Sequence, residues 1–282
     1  MKLLFILFIG IILNAQVVKI LDTKELNIAE VYELSALAYD GEMLYALSDV
    51  GILHYLKLDI KNDKINAIKL LKSKQLKKKK TDAEGMVLVK DLGAVYPYKL
   101  YISFERKPKV VKYTLNGKKI KKYKIPKILR DIDNYQGKNK ALEAIAYHKD
   151  YGVLVAPELA LVGENRKYHT IYGKKQIYKF SASGNLSALE FIKSGEILSL
   201  ERDFNFFTFN RVITLSKIYL NDCIDDVCKK KTLAVLKTID GYELDNFEGL
   251  CKVGKNKYLM VSDDNRNFFQ KTLFVLFELG ES

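Results

Sequence analysis

The sequence is poor in the motifs on which most hydrolases and nucleotide-dependent enzymes are built. Its three histidines, His54, His148 and His169, are scattered singly, so the ligand spacing of a zinc site is missing. There is no Gly-x-Ser-x-Gly elbow, no Gly-x-x-x-x-Gly-Lys-Ser/Thr loop and no dinucleotide fingerprint, which sets aside the chemistries those motifs support. Neither an Arg-His-Gly nor a His-Cys-x5-Arg phosphatase motif occurs. Any hydrolysis therefore requires a metal-held water with a carboxylate as general base. Long amphipathic helical patterns are lacking, which argues against α/β folds. No Pro/Ser/Gly-rich linker divides the chain, and a single domain over residues 16–282 is expected.

One apolar run, Leu3–Leu13, follows Lys2 and precedes Asn14-Ala15-Gln16. It is short for a bilayer span and has the layout of a cleavable secretory signal over residues 1–15; an uncleaved anchor is the alternative. No cysteine follows it, which argues against a lipoprotein, and the expected location is periplasmic or secreted. The three cysteines are Cys223, Cys228 and Cys251. In an oxidising compartment the Cys223/Cys228 spacing suits a disulfide at a hairpin tip, if loop geometry lets the sulfurs meet. Cys251 lies in an apolar strand and reads as a buried thiol.

Negative charge is in deficit: 47 Lys and Arg against 34 Asp and Glu, a formal +13. An exported chain rarely meets nucleic acid, and none is expected as a partner. The excess falls in runs such as Lys77–Lys80 and Lys118–Lys124. These read as solvated loops, or as attraction to anionic envelope surfaces or phosphorylated substrates. A monomer is expected.

What the chain does have is a recurring β sentence. Glu248-Gly249 leads into two apolar runs, Leu250–Val253 and Tyr258–Val261, joined by a Gly-Lys-Asn-Lys turn and ending on Ser262-Asp263-Asp264-Asn265. Earlier copies start at Ser35-Ala36-Leu37, Asp82-Ala83-Glu84-Gly85, Leu142-Glu143 and Ser187-Ala188-Leu189. The motif centres lie near residues 36, 85, 144, 188 and 249, intervals of roughly 44 to 61 residues that match a radial array of four-stranded units. An all-β fold is predicted: one β-propeller of about five to six blades. Its ring is closed by the early strand Val17–Leu21 beside Thr272–Leu279. The run Phe204–Ser216 reads as one strand, and Asn116-Gly117 as a turn in which both residues accept positive φ.

Acids at one place in each blade meet at the axis. Glu84, Glu143 and Glu248 stand at inner-strand starts; Asp49, Glu105, Glu158, Glu201 and Asp263 stand at the ends of the next strands. Carboxylates that face one another need a compensating cation, and Ca²⁺ suits an all-oxygen ligand set. Asp82, Glu84, Glu105, Glu143, Glu158, Glu201, Glu248 and Asp263 are the candidate metal ligands. The alternative is that these acids cap strand ends and pair with Arg106, Arg202 and Arg266.

Asp82-Ala-Glu84-Gly85, Ile102-Ser-Phe-Glu105, Asn139-Lys-Ala-Leu142-Glu143 and Leu198-Ser-Leu-Glu201-Arg202-Asp203 occur here in the order of a known family, as do Asn246-Phe-Glu-Gly-Leu250 and Ser262-Asp-Asp-Asn265. Over about Ser35 to Leu279 the chain resembles the phytase-like family, "esterase-like activity of phytase", of exported bacterial propellers. Ala141 and Ala144 stand where that family has glycines. The resemblance implies a Ca²⁺-dependent hydrolase of phosphoesters or carboxylic esters. Glu84, Glu143, Glu201 and Arg202 are its candidate catalytic residues. Arg106, Arg202, Asn139 and Asn265 are candidates for holding a small anionic or ester substrate. A non-catalytic propeller binding a ligand or envelope partner is the second reading. Sugar-lactone hydrolysis, by fold analogy with gluconolactonase-type propellers, is the third.

Overall fold

The computed structural model describes residues 17–76, 82–90 and 98–280. The expected leader at 1–15 and the Lys77–Lys80 run lie outside the described residues. Strand β1 (Val18–Glu25) precedes a first meander, β2 (Leu34–Tyr39), β3 (Leu44–Ser48), β4 (Ile52–Lys61) and β5 (Lys64–Gln75). A second follows: β6 (Ala83–Lys90), β7 (Tyr98–Phe104), β8 (Lys109–Thr114) and β9 (Lys119–Tyr123). The third comprises β10 (Leu142–His148), β11 (Gly152–Pro157), β12 (Tyr168–Tyr172) and β13 (Ile177–Ser181). The fourth comprises β14 (Asn185–Lys193), β15 (Glu196–Asn205), β16 (Asn210–Ile224) and β17 (Val227–Lys237). The last has β18 (Asn246–Lys252), β19 (Lys257–Asp263) and β20 (Leu273–Leu279), with β1 as its fourth strand.

Three sheets are four-stranded. The third and fourth meanders are joined into an eight-stranded sheet by one parallel bridge, Lys179 to Val227. The first strand of each meander packs against the first strand of the next, from β18 to β2, β6, β10 and β14, and back to β18. The result is a closed all-β ring of propeller type. Sequence composition follows radius: β3 is buried at every position, whereas β9 is exposed along most of its length. Strand β1 pairs with β20 from Val18–Leu279 to Glu25–Leu273. First and last strands thus share a sheet, as the sequence predicts, and the ring is tied shut.

Turn chemistry explains the hairpins. Asn62-Asp63 and Asp225-Asp226 both adopt positive φ, the geometry that matches strand twist across a two-residue loop. At Asn116-Gly117 only Gly117 does so, at 74°, which corrects the expectation of two such residues. The predicted single strand Phe204–Ser216 is broken. Asn205 Oδ1 accepts the N–H groups of Phe207 and Thr208 at 3.0 and 3.2 Å, and Phe209 takes a φ of 49°. This local turn overrides the β pattern of the aromatic run. Beyond it β16 continues unbroken through Lys217–Leu220 to Ile224.

Cys223 and Cys228 form a disulfide across the β16–β17 tip, and Cys251 is buried and free. Titration of denatured, unreduced protein is expected to find one thiol. Because the closed loop is so short, replacing both half-cystines by serine should cost no more than about 2–3 kcal/mol in a denaturant melt.

Candidate metal centre

A β-bulge marks each innermost strand at the same place. Pairing with the second strand skips Ser35, Glu84-Gly85, Glu143, Ser187 and Glu248 in turn. A bulged residue leaves the ladder and its side chain is re-aimed; here all five turn toward the middle of the ring. Three are glutamates, whose carboxylate oxygens converge: one each from Glu84, Glu143 and Glu248 lie within 4.8 Å of one another. The remaining two are serines. Ser35 Oγ donates to Ala83 O at 2.8 Å, and buried Ser187 Oγ has no partner among the described residues.

The small residue after each bulge lets neighbouring inner strands approach. A Cβ on Gly85 would sit 2.4 Å from Glu143 O, and one on Gly249 would sit 3.1 Å from the Ala36 backbone of β2. The glycine at 85 is therefore required by the backbone of the next strand. Ser103 fixes the contact, accepting from Gly85 N at 2.8 Å and donating to Glu143 O at 3.2 Å.

A second tier comes from the ends of the second strands. Register sets Asp49, Glu105, Glu158, Arg202 and Asp263 at matching positions, each one residue beyond the partner of the residue before the bulge. These residues also bind sheet to sheet: Ala83 N donates to Asp49 O at 2.8 Å, Ala141 N to Glu105 Oε1 at 2.9 Å and Leu186 N to Glu158 O at 3.0 Å. Glu105, Glu143 and Glu158 form a second convergent trio within 4.8 Å.

In the fourth sheet the equivalent residue is a cation. Arg202 Nη1 lies 2.8 Å from Glu248 Oε1, and Nη2 lies 3.4 Å from Glu143 and 3.7 Å from Glu158. Nη1 also donates to Asn246 Oδ1, and Asn246 Nδ2 donates to Glu248 Oε1 at 2.8 Å. Burial alone would lower the Arg202 pKa, but the charges of Glu248, Glu143 and Glu158 hold it above its ordinary value.

Glu201, expected in the ring, lies elsewhere. It is fully buried and accepts from Lys230 Nζ and Ser183 N, both at 2.6 Å, with His169 Nε2 at 3.5 Å. Although burial works against it, hydrogen bonds from His169 and Lys230 keep its pKa below the ordinary value. A one-residue step along a strand reverses the face, so Arg202 meets the axial acids and Glu201 does not. Arg106 is largely exposed and pairs with Asp82 at the rim. Asn139 and Asn265 are exposed on loops; Asn265 contributes its backbone N–H to Asp263 Oδ1 at 2.8 Å. Two further groups join the site without having been singled out in sequence: Lys140 Nζ and Asn185 Nδ2 each lie 2.7 Å from Glu158 Oε1. An asparagine stands two positions before the bulged residue at both 185 and 246, a signal that only an in-register alignment of the repeats would bring out.

On one side the acids are closed off by a narrow channel with about 10 Å³ of free space, lined by Leu37, Met86, Ile145, Leu189 and Leu250. Beside Arg202 a cleft of about 210 Å³ opens between Lys140, Asn185, Arg211, Asp245 and Asn246.

Crowding and burial govern the protonation of the site. Burial, then the charges of Glu143 and Glu248, push Glu84 well above the carboxylate range; burial and Glu158 do the same to Glu143. Asp49 is raised to about 6 by burial and Glu33, Glu105 to about 7 by burial and Glu158, and Asp263 to about 8 by burial and Glu248. Each folded pKa exceeds its unfolded value, so each group contributes stability below about pH 4 that is lost as pH rises through the folded value. The melting temperature of protein in chelator is expected to fall steadily from pH 5 to 8. With calcium the fall should be smaller, because a cation favours the ionised form. Parallel melts in calcium and in EDTA across that range check this.

Fold and site define a β-propeller protein with an acidic, all-oxygen axial cluster. The chain belongs to the phytase-like family, described as "Esterase-like activity of phytase", whose model matches residues 29–266. No curated protein sequence matches the chain. Among solved structures it is similar to the PQQ-bound aldose sugar dehydrogenase of Streptomyces coelicolor. That match has 9% identity, covers 93% of this chain and 97% of that one, and gives a TM-score of 0.51. Virginiamycin B lyase from Staphylococcus aureus overlaps at 8% identity, with 93% of this chain and 100% of that one covered and a TM-score of 0.48. At such identities the likeness concerns the fold alone.

Proposed function

We propose that this protein is an exported, calcium-binding propeller of five four-stranded blades that hydrolyses a phosphoester or carboxylic ester at its axis. The observation that carries the reading is the convergence of Glu84, Glu143 and Glu248, joined through Glu143 to Glu105 and Glu158. Buried acids in such number need compensation beyond Arg202 and Lys140, and an oxygen-only donor set fits a hard divalent cation. Glu84, Glu143 and Glu248 would hold it, with Glu105 and Glu158 adjoining. When bound, calcium supplies Lewis-acid polarisation of a substrate oxygen or water.

The remaining roles fall to the chain's own groups. Glu84 is the one half-buried member of the trio, and once a cation favours its ionised form it is suited to accept a proton from water as general base. Arg202 lines the cleft, and its Nε has no hydrogen-bond partner among the described residues. It and Lys140 offer positive charge to an anionic group held in the cleft. Export rests on the Lys2, Leu3–Leu13, Ala15 layout. One observation favours the non-catalytic reading: Arg202 already spans Glu248, Glu143 and Glu158 and neutralises part of the cluster by itself.

Metal analysis of the purified protein is the test, paired with phosphoester, carboxylic ester and sugar-lactone assays with and without chelator. Bound calcium with turnover abolished by EDTA is the expected result. Calcium without turnover on the whole panel would favour the non-catalytic reading. Absence of both metal and turnover would defeat the proposal.

A further inference from the structure

Among the described residues the most exposed phenylalanines fall in one place. Phe206, Phe207 and Phe209 on the β15–β16 turn are 72%, 93% and 70% exposed, and Phe268 and Phe269 on the β19–β20 loop are 95% and 87% exposed. Both tips are built turns. Asn205 organises the first, and Asn267 Oδ1 accepts from Phe269 N at 3.2 Å in the second. The rings of Phe204, Phe206 and Phe209 lean on one another with centroids 5.8–6.5 Å apart, and those of Phe268 and Phe269 lie 5.6 Å apart. The tips share a base. Arg211, just beyond the first, lies 3.2 Å from Asp245 Oδ1; Lys271 N, just beyond the second, donates to Asp245 Oδ2 at 2.7 Å. Asp245, Arg211 and Phe204 also line the cleft beside Arg202. The two aromatic tips therefore flank the mouth of the site.

We infer that these tips dock the protein on an anionic lipid bilayer, with the mouth of the axial site facing the headgroups. Several exposed aromatics on one face mark an interaction surface. Their form selects the occupant. The rings stand on two convex turns with a polar mouth between them. A fluid interface takes up such tips, whereas a protein partner would need two matching pits. Charge selects the lipid: a chain of formal charge +13 is attracted to an anionic surface, and apolar insertion adds to that attraction. The docking stands without the hydrolase reading. If that reading holds as well, esters of headgroups come within reach of the cleft.

The test is co-sedimentation of the chain from Gln16 onward, which carries every described strand, with vesicles of phosphatidylcholine alone or mixed with phosphatidylglycerol. Binding is expected to the mixed vesicles and to be weaker by about tenfold or more on phosphatidylcholine alone. The triple variant F206S/F207S/F209S should lose about tenfold or more in partitioning. Its melting temperature should be unchanged, and F207S alone should show a smaller loss. Binding should persist in EDTA, which separates insertion from calcium bridging and from any failure of the metal site. A wild type that ignores both vesicles, variants that bind as well as wild type, or binding abolished by EDTA would each overturn the inference.

Discussion

Glu248→Gln is expected to abolish the calcium-dependent part of this protein's stability while leaving its stability in chelator nearly intact. A ligand that binds only the native state stabilises it by about 2.7 kcal/mol at a hundredfold excess over its dissociation constant. For a chain of this size that corresponds to a rise of roughly 5–10 °C in melting temperature. Glu248 supplies one of the three converging oxygens, and glutamine keeps its volume but not its charge. In chelator, burial raises the Glu248 pKa despite the nearby Arg202 charge, and in the glutamine variant Arg202 keeps Glu143 and Glu158 as partners. Thermal melts of both proteins in calcium and in EDTA measure the effect. A similar loss under both conditions would mean that Glu248 acts only as an ion-pair partner of Arg202, and the metal site would be withdrawn.

Arg202→Gln should give the largest calcium-independent loss. The half-buried guanidinium reaches buried Glu248, Glu143 and Glu158 at once, and removing one partner of a buried ionic network costs about 3–5 kcal/mol. The cost should grow with pH. At pH 5 the acids with raised pKa values, Glu143, Glu105 and Asp263, can take up protons instead; at pH 8 more of the site's charge is left without the guanidinium. Arg202→Lys should recover only part of the loss, since an ammonium cannot span the same acids as a planar fork. Denaturant melts of wild type and both variants at pH 5 and pH 8 test this. A cost independent of pH would show that Arg202 contributes packing rather than charge compensation.

Much of the fold and part of the site could be read directly from residue order. Apolar alternation, the turns at Asn62-Asp63 and Asp225-Asp226, and the spacing of five motifs determine strands in meanders rather than helices. The return of Glu at 84, 143 and 248, each followed by a small residue, determines that these three share one place in the repeat. The pairing of Val18–Glu25 with Leu273–Leu279 also follows, because terminal strands of a ring need each other's edges.

Tertiary structure decided the rest. Leu200-Glu201-Arg202-Asp203 is polar at three successive positions, so its alternation does not say which residue faces the axis; the pairing of Leu186 with Glu201 does, and it selects Arg202. Lys140 reaches Glu158 from the segment leading into β10 of the same meander, and Asn185 from the first position of β14 in the next, a proximity created by strand pairing and blade packing and absent from any local pattern. Phe206 and Phe207 read as strand because aromatic runs fit a pleated surface, yet the Asn205 side chain turns the backbone there and lifts the rings into solvent. Sequence determined which residues repeat. Only register and closure decided which of them meet, because a shift of one position, less than 4 Å along the chain, changes the face from which a side chain leaves a strand.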